Sequence, residues 1–172
     1  MDENNLEIRK SSVSGKGVFT KRPIKKGERI CFMKGKICTI NQMSALVDCD
    51  LEEGSDPLGI DDELYMDLDE LHRSINHCCN PNSFLRGKNE LIALRDIEKG
   101  EEIFYDYSTT MNDNKEKIEK LGGELWTMEC KCNSENCRGI VSQFKDLPKN
   151  LQNYYLKNKF VPNFILKAFY KN

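Results

Sequence analysis

Ser74-Ile75-Asn76-His77-Cys78-Cys79-Asn80-Pro81-Asn82 is the stretch whose reading decides the fold. It carries one of the chain's two histidines and a pair of adjacent cysteines. Asn-Pro and the clustered amides favour turns, so no regular helix fits here. A polar loop of this kind has two purely structural explanations. It is a surface turn, or it holds a satisfied core histidine beside a small buried thiol. What decides between these and a functional loop is which other parts of the chain can meet it.

The chain of 172 residues suffices for one domain with a proper core. It is 38% hydrophobic and 31% charged, a normal balance for a water-exposed fold. No apolar run approaches the length of a membrane span, and the polar N-terminus has no signal-peptide pattern. The expectation is therefore a cytoplasmic protein with no membrane partner, nuclear or chromatin-associated action remaining open. In a reducing compartment, eight cysteines argue for metal or thiol chemistry rather than disulfides.

The formal net charge of −2 argues against direct nucleic-acid binding by bulk electrostatics. The charge is unevenly spread. Arg9 to Arg29 is basic, and Asp48 to Glu70 is acidic with no Lys or Arg. The acidic stretch reads either as a solvated face or as an attractive rim for a basic peptide.

Outward from the central loop, the chain is punctuated by turns. Leu6 to Arg9 alternates apolar and charged residues as a half-buried strand does. Ser14-Gly15-Lys16-Gly17-Val18-Phe19 reads as a turn opening into a strand, and it lacks the later Gly-Lys-Ser/Thr of a phosphate loop. Arg22-Pro-Ile-Lys-Lys-Gly-Glu-Arg-Ile30 has a close copy in Arg95-Asp-Ile-Glu-Lys-Gly-Glu-Glu-Ile103. Both predict a Lys-Gly turn feeding a strand, Ile30 to Met33 and Ile103 to Tyr107. Residues 41–64 read as loops around one short helix, and Tyr65-Met66-Asp67 as the start of a strand. Phe84-Leu85 and Leu91 to Leu94 flank Arg86-Gly87-Lys88-Asn89, a hairpin signal. Asp113 to Leu121 predicts a short polar helix with an Asp113/Glu116 capping box, ended by Gly122-Gly123. From Pro148 the spacing of Leu151, Tyr154, Tyr155, Ile165, Ala168 and Phe169 is helical, with Pro148 and Pro162 in first turns. These aromatics read as a cover over the core. The sum is a β-rich α+β domain.

Two further segments carry chemistry. Cys130-Lys-Cys132-Asn-Ser-Glu-Asn-Cys137 supplies three thiols to a site that zinc would complete with four. From the residues alone the fourth ligand stays open among Cys78, Cys79, His77, Cys31, Cys38 and Cys49. Cys31 and Cys38 lie in apolar, strand-like stretches and read as buried thiols. In Ile103-Phe-Tyr-Asp-Tyr107, side chains two apart in a strand would share a face. Tyr105 and Tyr107 would then line one cavity, with Asp106 pointing away.

Asn76-His77-Cys78-Cys79-Asn80-Pro81-Asn82 resembles the Asn-His-x-Cys-x-Pro-Asn motif of SET-domain protein-lysine methyltransferases. Gly100-Glu-Glu-Ile-Phe-Tyr-Asp-Tyr107 resembles that family's Gly-Glu-Glu-Leu-x-x-Asp-Tyr motif, and Gly15-Lys16-Gly17 its N-terminal Gly-x-Gly. Cys130, Cys132 and Cys137, followed by Arg138-Gly139, resemble its post-SET zinc motif. The four signals occur in family order over residues 6–140. Each is modest alone, and together they are specific.

The resemblance implies a SET fold: several short β-sheets, a knot-like crossing that brings the central motifs together, short helices, and a C-terminal zinc-bound segment. It divides the chain into a SET domain (1–108), a linker (109–129), a post-SET zinc segment (130–140) and a helical extension (141–172). It makes Cys79 the fourth ligand of a structural zinc beside Cys130, Cys132 and Cys137, and leaves Cys78 free. It places Lys16, Gly17, Val18, Arg73, Asn76, His77 and Tyr107 around S-adenosylmethionine, Asn76 and His77 largely through backbone groups. Tyr107 matches the catalytic tyrosine. Tyr105 matches a position where tyrosine tends to limit the product to monomethyl-lysine. The implied partner is a protein with an exposed lysine, a histone tail or another basic protein. The rival reading is a catalytically silent zinc-containing SET-like module that binds a basic tail. Three features depart from the family pattern: Ser74 stands where a bulky aromatic is common, Asp67 to Asn76 is short and lacks Gly-Asn, and no cysteine-rich region precedes the domain.

Overall fold

The computed structural model describes residues 3–48 and 57–170. Cys49 and the acidic residues Asp50, Glu52, Glu53 and Asp56 lie outside the described residues. Among the described residues, ten short strands form four small antiparallel sheets, joined by short helices. β1 (Leu6–Lys10) pairs with β2 (Lys16–Thr20), Leu6 opposite Thr20. β3 (Arg29–Phe32), β7 (Ser83–Arg86) and β8 (Glu90–Ala93) form a second sheet in the order β3-β8-β7. β4 (Gly35–Thr39), β5 (Pro57–Asp61) and β6 (Leu64–Leu68) form a third, with β6 central. β9 (Met128–Glu129) and β10 (Ile140–Val141) clasp the cysteine segment between them.

The hairpin at Gly87 forms as its sequence predicts, with Gly87 at φ +65° in the left-handed region. The two similar segments pair with each other. Ile24 and Ile97 exchange both backbone hydrogen bonds at 2.8 and 2.9 Å. Arg22 binds Glu28, and Arg95 binds Glu101, at the same spacing in each copy. A local repeat in sequence has thus become a pseudo-symmetric brace. Its buried centre, with Ile30 and Ile103, belongs to the main apolar core.

Several expectations are corrected. Ile103 to Tyr107 is no strand. It makes scattered backbone hydrogen bonds but no ladder: the Ile103 N–H donates to the Val18 carbonyl at 2.8 Å, the Ser83 N–H donates to the Phe104 carbonyl at 3.0 Å, Tyr105 forms an isolated bridge with His77, and Tyr107–Thr110 is a 3-10 turn. The acidic region 41–64 holds more than loops and a helix: after α1 (Ile40–Asp48), β5 adds an edge strand to β6. The cap of the polar helix is Asn114, whose side chain accepts from the Lys117 N–H. Asp113 is drawn away by hydrogen bonds from Tyr65 and Gln143. Numbering the helices onward, α2 is Glu70–Arg73, α3 Lys115–Lys120, α4 Lys149–Asn158 and α5 Asn163–Phe169. Pro148 and Pro162 stand one residue ahead of the first turns of α4 and α5. The tail aromatics do not simply cover the main core. Phe144, Leu147, Tyr155, Val161, Phe164 and Ile165 form a second apolar cluster. Cys31 and Cys38 are buried thiols, and burial pushes Cys31 up to about 12.

Candidate active site and thiol cluster

The central loop runs beside residues 102–107 in the same direction. The Tyr105 N–H donates to the Asn76 carbonyl at 3.3 Å, and the Cys78 N–H to the Tyr105 carbonyl at 3.3 Å. Asn82 continues the contact: its Oδ1 accepts from the Phe104 N–H at 2.8 Å and its Nδ2 donates to the Glu102 carbonyl at 2.7 Å. This is the crossing, and amides suit it. Asn can satisfy a donor and an acceptor of a passing chain that belongs to no sheet.

Tyr107 lies at the centre. Its hydroxyl donates to the Ile75 carbonyl at 2.9 Å, and its N–H to His77 Nδ1 at 3.2 Å. Tyr105 and Tyr107 do meet, their ring centroids 4.8 Å apart. Burial raises the Tyr105 hydroxyl well above the ordinary phenol value, so it stays protonated at neutral pH. Burial also lowers His77, to about 4, against the opposing effect of Asp106. The neutral ring accepts at Nδ1, which leaves Nε2–H to face Cys79 Sγ at 3.3 Å.

A groove of about 340 Å³ opens against Tyr107. Ser14, Lys16, Arg73, Asn76 and His77 line it, together with Met128 and Lys131 of the later segment. The Asn76 side chain donates to the Lys16 carbonyl at 2.8 Å and to Glu102 at 2.9 Å, holding the Gly15 turn against the central loop. Buried Glu102 also accepts from the Ser11 hydroxyl at 3.0 Å. A Cβ on Gly17 would lie 2.1 Å from the Glu102 carboxylate, so a larger residue would have to displace that side chain. Gly17 therefore shapes the groove from behind, and Val18 is fully buried in the core. Lys16 meets Glu70 at 2.6 Å, an exposed ion pair. Trp126 lies 6.5 Å from Tyr107 by ring centroids. It borders an apolar cavity of about 260 Å³ with Met43, Tyr65, Met111 and Ile118.

The thiols of Cys79, Cys130, Cys132 and Cys137 converge, all four sulfurs within 4.8 Å of one another. They could hold one metal ion. Cys79 Sγ is 3.7 Å from Cys130 Sγ. Burial pushes the Cys79 thiol up to about 11. Cys132 lies low, at about 6: its burial is outweighed by hydrogen bonds from Ser134 and neighbouring backbone N–H groups. Cys78 is buried beside the cluster but is not among the four.

One group was not assigned any task by sequence reasoning. Asp106 does point away from the tyrosines, but into a buried network and not to solvent. It is 1% exposed and forms two hydrogen bonds with Arg138, at 2.9 and 2.6 Å. Asp106 opposes the cost of burying the Arg138 guanidinium and holds its pKa above the ordinary value. The signal was an acid between two tyrosines and an arginine straight after the last cysteine.

A family model described as SET domain matches residues 15–108. Among curated proteins, the chain is 34% identical over 150 residues to the variant-silencing SET domain-containing protein of Plasmodium falciparum, covering 77% of this chain and 5% of that protein. It is 31% identical over 152 residues to human histone-lysine N-methyltransferase 2B, covering 78% and 5%. The chain thus spans only about a twentieth of the length of either relative. Among solved structures, KRYPTONITE in complex with mCHH DNA, an H3(1-15) peptide and SAH matches with a TM-score of 0.58 at 24% identity, over 80% of this chain and 29% of that one.

Proposed function

Because the chain belongs to the SET-domain family, we propose that it is a protein-lysine methyltransferase that uses S-adenosylmethionine. The observation that carries this reading is the position of Tyr107, which lines a groove of ligand size and lies 6.5 Å by ring centroids from Trp126, a residue bordering the apolar cavity. S-adenosylmethionine would supply the methyl group from the groove. Lys16, Arg73, Asn76, His77 and Tyr107 would bind it, while Gly17 and Val18 shape and anchor the turn behind. Exposed ion pairs contribute little to stability, so Lys16 can leave Glu70 for a ligand carboxylate at small cost.

The target lysine must react as the neutral amine, yet a free lysine has a pKa of about 10.4. Desolvation beside buried Tyr105 and the Trp126 cavity favours the neutral form. Tyr107 would orient the amine for in-line displacement, its hydroxyl fixed by the Ile75 carbonyl. Tyr105, a protonated donor, would hold the amine or a water and restrict a second methylation, which favours monomethyl-lysine.

The four thiols fit zinc. A tetrahedron of Zn–S bonds near 2.3 Å has edges of about 3.8 Å, and the Cys79–Cys130 separation is 3.7 Å. With four thiolates no position stays open, so its part would be structural: to pin segment 130–140 beside the groove. The division into a SET domain (1–108), linker (109–129), post-SET segment (130–140) and extension (141–172) follows the same reading. For the substrate we propose a basic protein tail. The relative named a histone-lysine methyltransferase and the neighbour bound to an H3 peptide support a histone and action at chromatin. Exposed Asp61, Asp62 and Glu63 near the apolar cavity support a basic segment.

The test is transfer of labelled methyl from S-adenosylmethionine to histones and other basic proteins, with Tyr107→Phe alongside. Label on lysine that falls about 100-fold in the variant supports the reading. Failure to bind S-adenosylmethionine at all, by a folded and zinc-loaded chain, would overturn it in favour of a silent binding module.

A further inference from the structure

We infer that Tyr155, in the C-terminal extension, is a positioning residue for the tyrosine pair and acts through Asp106. The inference rests on the methyltransferase reading for its kinetic consequence, but not for its geometry. Asp106 Oδ2 accepts from the Tyr155 hydroxyl at 2.9 Å and from Arg138 Nη1 at 2.9 Å. Oδ1 accepts from Arg138 Nη2 at 2.6 Å and from the Ser108 N–H at 3.1 Å. One buried carboxylate therefore joins three parts of the chain: the tyrosine segment, the cysteine segment and α4.

The hydroxyl of Tyr155 has no packing reason to exist. The residue is 2% exposed and sits in the second apolar cluster, among Phe144, Leu147, Val161 and Ile165, where phenylalanine would pack as well. A buried hydroxyl is unfavourable unless it is bonded. Its partner is the carboxylate that lies between the two tyrosines in sequence and caps the turn Tyr107–Thr110. Tyr155 therefore helps to hold the Asp106 side chain, together with the Arg138 fork and the Ser108 N–H. Without it, Oδ2 keeps Arg138 Nη1 as its single donor, and the cap under Tyr107 rests on Arg138 and the Ser108 N–H alone. The groove loop at Ser14–Lys16 is held separately, by Asn76.

The same carboxylate reaches the thiol cluster. Arg138 follows Cys137 directly, and its N–H donates to Cys79 Sγ at 3.4 Å. Extension, metal segment and tyrosine pair are thus coupled at one point. In this role the extension is part of the catalytic unit and not an appended cover.

The test compares Tyr155→Phe with Tyr154→Phe, a change on the same helix at a half-exposed ring, in the full zinc-loaded chain. Three quantities are measured: kcat and KM per folded protein, the rate of metal loss to a chelator, and the emission of Trp126. Trp126 is the chain's single tryptophan, 6.5 Å from Tyr107, so it reports the position of that ring. For Tyr155→Phe, kcat should fall by about three- to tenfold with KM for S-adenosylmethionine changed less than about twofold. Metal loss should quicken by about threefold, and the Trp126 emission should shift. Tyr154→Phe should leave all three unchanged. Kinetics and metal loss equal in the two variants would overturn the inference. So would parallel losses in kcat and KM that track only the unfolded fraction. If the wild-type chain transfers no methyl group, the functional reading fails by itself. Metal loss and Trp126 emission then decide the inference, and no change in either would end it.

Discussion

Gly59→Ala should both destabilise the protein and slow the reaction, although alanine is the better strand residue. Gly59 is buried in β5, and a Cβ there would lie 2.3 Å from the backbone oxygen of Thr110 and 3.4 Å from the ring of Phe164. Thr110 ends the turn that begins at Tyr107, and its hydroxyl donates to the Tyr107 carbonyl at 2.9 Å. The obstructing atom is backbone, so no side-chain rotation relieves the contact. Strand and turn must part by roughly 1 Å to restore ordinary contact.

Overpacking of this kind costs about 1–3 kcal/mol. Alanine returns about 0.4–1 kcal/mol by narrowing the unfolded ensemble. The net loss of about 1–2 kcal/mol corresponds to a fall in Tm of roughly 2–8 °C for a chain of this size. A displacement near 1 Å at a catalytic group can cost about 100-fold. Because Tyr107 is moved only through its own turn, a fall in kcat of about tenfold is expected at temperatures where the variant is folded. Thermal melts by circular dichroism and kcat from methyl transfer would decide it. A Tm equal to or above wild type, with kcat intact, would refute the reasoning, because it would mean β5 and the turn can part freely.

Three further outcomes follow from the same geometry. Removing the metal with a chelator, or Cys79→Ser, should release about one equivalent of zinc and lower Tm by several degrees, read by a colorimetric zinc assay beside a melt. Gly17→Ala should push the Glu102 carboxylate off Ser11 and Asn76, weakening S-adenosylmethionine binding by about tenfold in a calorimetric titration; unchanged affinity would mean that Glu102 moves without consequence. Tyr105→Phe should shift the product from monomethyl- towards dimethyl-lysine in the mass spectrum of a peptide substrate, and abundant trimethyl-lysine from the wild-type chain would contradict the part given to Tyr105.

What was legible in the sequence was local. Strands β1, β6, β7 and β8 follow from alternation and from the turn at Gly87, because those signals concern neighbours in the chain. The cysteine segment was legible because Cys130, Cys132 and Cys137 lie close together, whereas their meeting with Cys79 came from the family resemblance. β5 was hidden because Asp56-Pro57 and Gly59 look like a loop, and the strand exists only against β6 and Thr110. Residues 103–107 looked like a strand for the opposite reason. Their composition suits one, but their hydrogen bonds scatter over Val18, Asn76, Cys78, Asn82 and Ser83 and form no continuous ladder with any strand. The bonds from Arg138 and Tyr155 to Asp106 span 32 and 49 residues, and no local pattern announces them.

The spacing of the central motif has a geometric cause that ties the two halves of the site together. Asn76 turns its side chain to the Lys16 carbonyl and Glu102, towards the groove. His77, the next residue, turns inward, and its ring spans from the Tyr107 N–H to Cys79 Sγ. The one-residue separation of His77 and Cys79 lets a single ring touch both the turn at Tyr107 and the thiol cluster. Cys78, between them, is buried but is not among the four converging thiols. The cluster and the tyrosine are joined twice, by the His77 ring on one side and by Arg138 with Asp106 on the other. Cys130, Cys132 and Cys137 lie 51 to 58 residues beyond Cys79 in sequence, and a metal held by the four thiols would act on Tyr107 through these two links, with no ligand position open to substrate.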